Sequence, residues 1–259
     1  MSASTVRFGT ECLSRRRPKR EPLRSARVRV IIMRLRLAGP TTALALGALA
    51  PSIVAAQGRI LDEGTFTVTR AGAVQTENFR IMRIENGLIK AIATVVSGTQ
   101  KVISILTVDS VGTPVTYEVN VTEKGAKSVG LKAVAGGSRL VAKTNDQHGD
   151  ESMREYPIVA GQSLLVEGGL LHQLYFAALG RKPGSIQVID PRGGRVTSST
   201  LSARGLEPVD VGGKSVTGTH YSLVSGGVRR EFWVDSAGRL LRVEIPSEQL
   251  VAAREELPR

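Results

Sequence analysis

The sequence has a single cysteine, only ten aromatic residues and no apolar run that would supply several membrane spans. One thiol cannot form an intrachain disulfide framework, and the lack of long apolar runs excludes a polytopic membrane protein. A hydrophobic fraction of 41% is nevertheless too high for a wholly disordered chain. The 259 residues therefore predict one globular domain with additional segments.

Positive charge is concentrated near the N-terminus. The net charge is +12, yet residues 1–56 alone hold eleven basic and two acidic residues, which leaves 24 basic and 21 acidic residues for positions 57–259. Binding to nucleic-acid phosphates requires a concentrated basic surface on the folded part of a protein. We therefore predict no nucleic-acid partner.

Residues 1–32 form a basic extension, interpreted as a misassigned gene start ahead of Met33 or as a disordered segment. A mitochondrial transit peptide is the alternative because the segment is rich in Arg and Ser, but Glu11 and Glu21 count against it. The only cysteine, Cys12, lies here, so a product that has lost this segment contains none and is compatible with an oxidising compartment.

Residues 33–56 have the pattern of a secretory signal peptide. A short cationic stretch at 33–37 precedes an apolar stretch at 43–54, and Ala55 and Ala56 provide the small residues before a predicted cleavage after Ala56. An uncleaved membrane anchor is disfavoured because the apolar stretch is short. We expect a periplasmic or secreted protein whose mature chain starts at Gln57.

Positions 57–259 are dominated by short stretches with period-two alternation and many β-branched residues, which predicts antiparallel strands. In 115–122, Tyr117, Val119 and Val121 fall on one face and polar residues on the other. The predicted strands are 65–69, 74–84, 88–97, 101–109, 115–122, 127–134, 139–144, 185–189, 196–201, 208–211, 217–224, 229–234 and 240–245.

Two segments predict helices. In 168–179, Leu171, Leu174 and Ala178 recur at helical spacing, and Gly180 is placed to end the helix. A second short helix is predicted for 248–257, with Ser247 as its N-cap. The polar stretch 145–161 is predicted to be a loop.

These elements predict an all-β fold with one or two short helices, in which a single domain over residues 57–259 forms an antiparallel meander. A sheet with this many strands must twist, and it either curls or splits into two layers. We expect it to curl into a barrel or half-barrel.

The predicted interior consists mostly of small aliphatic residues, because only nine aromatic residues lie beyond position 56. A barrel of about eight or more strands encloses a space that is filled by side chains or by a ligand. One hypothesis is an apolar cavity with the helix 168–179 at its mouth, and the alternative is close packing with the helix over an open edge. The predicted ligand contacts are Leu171, Leu174, Tyr175, Phe66, Phe79 and Trp233.

The stretch 221–244 contains Phe232-Trp233-Val234-Asp235, followed by Gly238 and an apolar strand. It resembles the final hairpin of bacterial envelope proteins of the DUF3108/DUF6134 type, which are in turn similar to the half-barrels of LolA/LppX-like lipid carriers. The resemblance implies a periplasmic module that binds a lipid-like molecule. No binding residue is transferred from that family.

No motif indicates catalysis, a metal or a cofactor. The sequence contains neither a Gly-x-Ser-x-Gly elbow nor a His-Glu-x-x-His helix. His148 lies in an acidic stretch that could bind calcium but fits a solvated turn better. His172 could gate ligand entry by titrating, or it lies at the boundary of an amphipathic helix. His220, close to Ser222, lacks the rest of a catalytic triad.

We therefore predict an exported, non-enzymatic protein that binds a lipid-like apolar or amphipathic molecule in a barrel cavity, with transient contact to a membrane or an envelope protein. The alternative is a structural or interaction module of the cell envelope without a small ligand. A hydrolase is the third class, disfavoured because no nucleophile and base stand at a recognisable spacing.

Overall fold

The computed structural model of the protein describes residues 58–146 and 148–258, without the side chains of Lys127 and Ser128. The predicted basic extension and signal peptide lie outside the described residues. The described part forms one large sheet with a short helical segment, and none of its helices is long and apolar enough to cross a membrane.

The sheet has fifteen strands in the order β8-β7-β6-β5-β4-β3-β2-β1-β15-β14-β13-β12-β11-β10-β9. Consecutive strands pair with each other except β8 and β9, and the pairing of β1 with β15 joins the two halves. The strands are β1 (Arg59–Arg70), β2 (Ala73–Arg83), β3 (Ile89–Ser97), β4 (Gln100–Val108), β5 (Pro114–Glu123), β6 (Ala126–Gly136), β7 (Arg139–Asn145), β8 (Glu151–Pro157), β9 (Ser163–Leu165), β10 (Gly184–Asp190), β11 (Arg195–Val211), β12 (Lys214–Ser225), β13 (Val228–Val234), β14 (Leu240–Ile245) and β15 (Leu250–Arg254).

Side-chain alternation explains why these residues form a sheet. In β3, Ile89, Ala91, Ala93 and Val95 are buried, whereas the residues between them face outwards. All ladders are antiparallel except the short one between β9 and β10. The prediction of an all-β, antiparallel fold is confirmed.

The sheet stays open because its edge strands, β8 and β9, do not pair. Side chains bridge the gap instead: the Tyr156 hydroxyl donates to the Pro191 carbonyl oxygen at 3.1 Å, and the Gln187 amide donates to the Pro157 carbonyl oxygen at 2.6 Å. The protein is therefore a half-barrel whose edges are linked by hydrogen bonds from side chains.

A short helical segment lies inside the half-barrel, and we call residues 171–178 the central segment. It consists of a 3₁₀ turn (Leu171–Leu174) followed by α1 (Tyr175–Ala178), and its first seven residues are buried. The sequence predicts a longer helix, 168–179, across the mouth of the barrel. The helix is shorter because Gly169 adopts a positive φ of 86° before it and Leu179 is extended after it.

Two buried charged side chains hold the ends of the central segment. Glu77 of β2 accepts hydrogen bonds from the backbone N–H groups of Leu171 and His172 at 2.9 and 2.8 Å, and its carboxylate lies 2.6 Å from Nδ1 of His172. After the segment, the Arg181 guanidinium donates to four carbonyl oxygens at 2.7–2.9 Å, those of Phe176, Gly112, Gly161 and Ser163. These contacts fix the segment between the strands and the loops at one end of the barrel.

A buried ion pair stabilises the junction where β15 pairs with the second half of β1. The guanidinium of Arg254 lies 2.8 Å from the Asp62 carboxylate and also donates to the carbonyl oxygens of Leu240 and Glu63. Gly64 makes room for it, since a Cβ at this position would lie only 2.8 Å from Nη2 of Arg254. The ion pair therefore connects β1, β14 and β15.

The prediction of a loop over 145–161 is wrong, because this stretch contains β8. Only Tyr156 is buried in that strand, so the alternation of apolar and polar residues that reveals a strand is missing. The predicted strands 196–201 and 208–211 are parts of one strand, β11, which continues through an irregularity between Ala203 and Gly205.

The predicted helix 248–257 is also wrong, because β15 occupies half of this stretch, from Leu250 to Arg254. Its Ala, Glu and Arg residues favour a helix, but helix propensity is a weak preference that tertiary contacts override. Here Leu250 and Ala252 point into the core while the backbone satisfies the hydrogen bonds of β1.

We expect the substitution Arg181→Met to lower the free energy of unfolding by about 3 kcal/mol, because four buried carbonyl oxygens lose their donor. Urea denaturation followed by circular dichroism measures this change. The control is Arg80→Met, which removes an exposed guanidinium paired with Glu63 and should change the stability by no more than about 0.5 kcal/mol. Equal effects of the two substitutions would contradict the anchoring role of Arg181.

Candidate functional site

The central core contains five of the six side chains predicted to bind a ligand, namely Leu171, Leu174, Tyr175, Phe66 and Phe79, each at most 5% exposed. Phe66 stacks on Phe79 with ring centroids 5.2 Å apart. All five belong to one continuous apolar cluster, in the volume where the sequence predicts a cavity. The central segment thus occupies the middle of the half-barrel.

Trp233, the sixth predicted contact, lies elsewhere. Its neighbour Phe232 points into the core, so Trp233 faces the opposite side of the sheet, where it packs in a small second cluster with Val209, Val211 and Leu241. The structure therefore does not bring Trp233 together with the other five predicted residues.

A groove of about 480 Å³ lies along β1, β2 and β3, and we call it the outer groove. Met82 and Ile92 line it from outward-facing strand positions, since their neighbours Ile81 and Ala91 are buried. The full lining is Glu63, Gly64, Thr65, Asn78, Phe79, Arg80, Met82, Ile92, Ala93 and Thr94.

Polar groups of the outer groove are already paired with each other. The Arg80 guanidinium lies 2.9 Å from the Glu63 carboxylate, and the Thr65 hydroxyl donates to the Asn78 side-chain oxygen at 2.7 Å. These pairs leave the aliphatic side chains of Met82 and Ile92 as the surface that gains most from contact with an apolar group.

A second cavity of about 510 Å³, the β1 cleft, lies between residues 60–65 and the residues 254–257 that end and follow β15. Glu63, Glu255 and Glu256 give it an acidic lining, and Arg254 with Asp62 forms part of its wall. Burial raises the pKa of Asp62, while the adjacent Arg254 guanidinium acts in the opposite direction. The cleft is therefore more polar than the outer groove.

His220 is part of a network on the surface of β11, β12 and β13. Its Nδ1 lies 2.9 Å from Glu207 and its Nε2 lies 2.9 Å from Glu231, while its ring stacks on Trp233 at 4.4 Å. The Ser222 hydroxyl donates to Glu231 at 3.1 Å. Because both imidazole nitrogens are engaged by carboxylates, neither is placed to accept a proton from Ser222.

The other two histidines have different surroundings. His172 is fully buried against Glu77, rather than at the boundary of an amphipathic helix. Around His148, the Asp146 carboxylate accepts hydrogen bonds from the backbone N–H groups of His148 and Asp150 at 2.8 and 3.0 Å, which is the geometry of an Asx turn. Among the described residues, no three His, Cys, Asp or Glu side chains are grouped to hold a metal ion.

The outer groove was not predicted from the sequence. The available signal was the presence of Met82 and Ile92 at positions that alternation assigns to the outer face, where polar residues are expected. The pairing of β2 with β3 sets Met82 opposite Lys90 and Arg80 opposite Ile92. Met82 and Ile92 are therefore neighbours on the outer face and border the same groove.

The geometry defines a β-barrel-like protein with an open antiparallel sheet and a filled centre. The chain belongs to the DUF6134 family, described as a domain of unknown function, whose model matches residues 119–254, just over half of the chain. The match includes 221–244, so this part of the predicted resemblance is confirmed, whereas the link to LolA/LppX-like carriers stays a prediction.

No curated protein matches the chain. Among solved structures, it is similar to the crystal structure of a β-barrel-like protein of the domain of unknown function DUF1849 from Brucella abortus, with a TM-score of 0.48 and 10% sequence identity. The similarity covers 76% of this chain and 97% of that chain.

The fluorescence of Trp233, the only tryptophan, reports on the His220 network. Hydrogen bonds from His220 and then from Trp233 lower the pKa of Glu207. The ionised Glu207 carboxylate therefore stabilises the folded state fully above the ordinary glutamate pKa of about 4.3. This stabilisation is lost only as the pH falls through the lower pKa that Glu207 has in the folded state. We expect an acid-induced change in Trp233 emission below about pH 4.3 that Glu207→Gln removes.

The control for this titration is Glu244→Gln, which alters a carboxylate paired with Arg242 instead and should leave the emission change in place. An emission change that persists unaltered in Glu207→Gln would contradict the assignment.

Proposed function

We propose that this protein is an exported, non-enzymatic binding protein for a lipid-like amphipathic molecule, and that the ligand binds in the outer groove. The observation that carries the proposal is the pair of outward-facing aliphatic side chains, Met82 and Ile92, in a groove of about 480 Å³. This volume lies within the range of about 300–1,000 Å³ that is usual for small-molecule sites.

The chemistry of the groove favours an amphipathic ligand over a purely polar one. Met82 and Ile92 offer aliphatic surface, and methionine adapts its shape to irregular apolar partners. The Thr65–Asn78 pair and the Glu63–Arg80 pair lie beside this surface. An acyl chain on the aliphatic side chains would thus have polar groups within reach of its headgroup.

The filled centre supports the outer groove over the barrel interior as the place of binding. A ligand in the middle would have to displace Leu171, Leu174 and Tyr175, which are buried and fixed between Glu77 and Arg181. Displacing several buried apolar side chains costs about 1.5–3 kcal/mol for each of them. The proposal keeps the lipid-like ligand implied by the resemblance to LolA/LppX-like carriers and moves its contacts to the outer face.

We expect the double substitution Met82→Ser and Ile92→Ser to reduce the lipid that co-purifies with the protein at least about tenfold, because the apolar contact surface is lost. Mass spectrometry of solvent extracts measures the lipid content, and a titration with an apolar fluorescent dye measures the affinity. The matched control is Val96→Ser, which removes an exposed aliphatic side chain outside the groove. Val96 lies on β3, the strand that also carries Ile92.

Equal lipid content in the double variant and the wild type would exclude the outer groove as the binding site. A wild-type protein that yields no lipid and binds no dye would instead favour the second candidate, an envelope interaction module. The β1 cleft supports that candidate, because β15 pairs with β1 only from Phe66 onwards and a cleft of about 510 Å³ beside residues 60–65 could receive a segment of a partner protein.

Export is part of the proposal, and the position of β1 supports it. The first strand of the described residues begins at Arg59, so cleavage after Ala56 would remove the predicted signal peptide and leave all fifteen described strands intact. We expect N-terminal sequencing of the protein from an envelope fraction to start at Gln57. A mature protein that begins at Met1 or Met33 would contradict export by cleavage.

A further inference from the structure

A small polar cavity lies at the end of the half-barrel where the central segment begins. Its volume is about 120 Å³, four times the roughly 30 Å³ that one water molecule takes up in the liquid. It therefore has room for one compact group such as a phosphate. The lining residues are Arg70, Gln75, Val95, Ser97, Gln100, Val102, Gly168, Gly169, Leu170 and Arg192.

The polar side chains of this lining are all able to donate hydrogen bonds. Two carry guanidinium groups, two carry amides and one carries a hydroxyl, and no carboxylate is among the lining residues of this described cavity. Nε of Arg70 is buried and has no hydrogen-bond acceptor within the described part of the chain. A buried donor without an acceptor is costly, and an oxyanion in the cavity would supply the missing acceptor.

Both arginines of the lining are also paired with carboxylates. Arg70 pairs with Glu248 at 2.8 Å, and Nε of Arg192 lies 3.2 Å from the Glu167 carboxylate. Burial raises the pKa of Glu167, with Arg192 acting in the opposite direction. Each guanidinium keeps further N–H groups beyond its carboxylate contact, since a guanidinium has five N–H donors.

A further guanidinium lies near the same end of the barrel. Arg230 of β13 is half-buried, and burial lowers its pKa, while Glu248 and Asp190 act in the opposite direction. Its buried Nη1 has no acceptor among the described residues. Arg230 does not line the cavity, but it shares the neighbour Glu248 with Arg70.

We propose that this cavity binds one phosphate group, held by the guanidinium groups of Arg70 and Arg192 and by the amides of Gln75 and Gln100. Guanidinium groups match the oxygens of a phosphate in pairs and hold them by charge-assisted hydrogen bonds. The phosphate is either a free inorganic ion or the headgroup of a phospholipid. The site is separate from the outer groove and does not depend on the function proposed for it.

The test uses the full chain and follows binding by isothermal titration calorimetry. Inorganic phosphate is titrated at constant ionic strength, and vesicles of phosphatidylglycerol are compared with vesicles of phosphatidylcholine in separate experiments. The informative variants are Arg70→Gln, which removes a donor on an exposed side chain, and Gln75→Glu, which places a carboxylate of the same shape in the cavity. We expect each to weaken phosphate binding about tenfold.

Two matched controls change the charge outside the cavity by the same amount. Arg139→Gln and Asn86→Asp lie outside both the small cavity and the outer groove and should leave phosphate binding unchanged. Phosphate could also bind to the basic residues of positions 1–56. Because all variants retain these residues, such binding would be equal in the cavity variants and the controls. Circular dichroism verifies that each variant is folded. If Arg70→Gln does not fold, Arg70→Lys replaces it, and we expect Arg70→Lys to weaken phosphate binding less than Arg70→Gln would.

Weaker phosphate binding in both cavity variants, with unchanged controls, supports the site. If phosphatidylglycerol vesicles then compete with phosphate, the source is a headgroup, and if they do not, it is the free ion. Phosphate binding that is absent, or equal in cavity variants and controls, overturns the proposal. Vesicle binding without phosphate binding overturns it as well.

Discussion

The anchoring of the central segment between Glu77 and Arg181 is the constraint on which the rest of the structure depends. Leu171, Leu174 and Phe176 of this segment pack in one apolar cluster with the inward-facing residues of the strands. Because burying backbone groups is costly unless they are hydrogen-bonded, the segment can lie there only with buried partners at both ends.

The candidate binding surfaces lie around the buried central segment. The outer groove and the β1 cleft both border residues 63–65 of β1, on its β2 side and its β15 side. The phosphate-sized cavity lies at the opposite end of the same strand, beside Arg70. An apolar surface and a basic cavity thus lie on separate parts of one rigid sheet, so two chemically different contacts can form without competing for space.

The period-two pattern predicted the architecture well because most strands have one buried and one outward face. The hairpin of β13 and β14 was also predictable, since Asp235 closes its turn by accepting hydrogen bonds from the backbone N–H groups of Ala237 and Arg239 at 2.9 and 2.8 Å. The three strands that were not predicted, β8, β9 and β15, lack such local signals. β8 has only Tyr156 buried, β9 is just three buried residues long, and β15 forms because β1 offers an unpaired edge almost two hundred residues earlier.

The candidate site was less predictable than the fold. Apolar residues in the sequence were assigned to a cavity wall because patterning identifies which side chains turn inwards but does not measure the space between them. Of the six predicted contacts, only Phe79 borders the outer groove. The two guanidinium groups of the small cavity, those of Arg70 and Arg192, come from β1 and from the turn after β10, which only the tertiary fold brings together.

The pairing of β1 with β15 also sets the order in which the molecule can assemble. A ribosome produces β1 first among the strands and β15 last, so the central ladder of the sheet stays half-made until synthesis is nearly over. During that interval β1 presents an open edge of backbone donors and acceptors, which is a template for unwanted pairing with other chains. Translocation of an unfolded chain through a secretion pore would suit this topology, since it delays folding until the final strand is available.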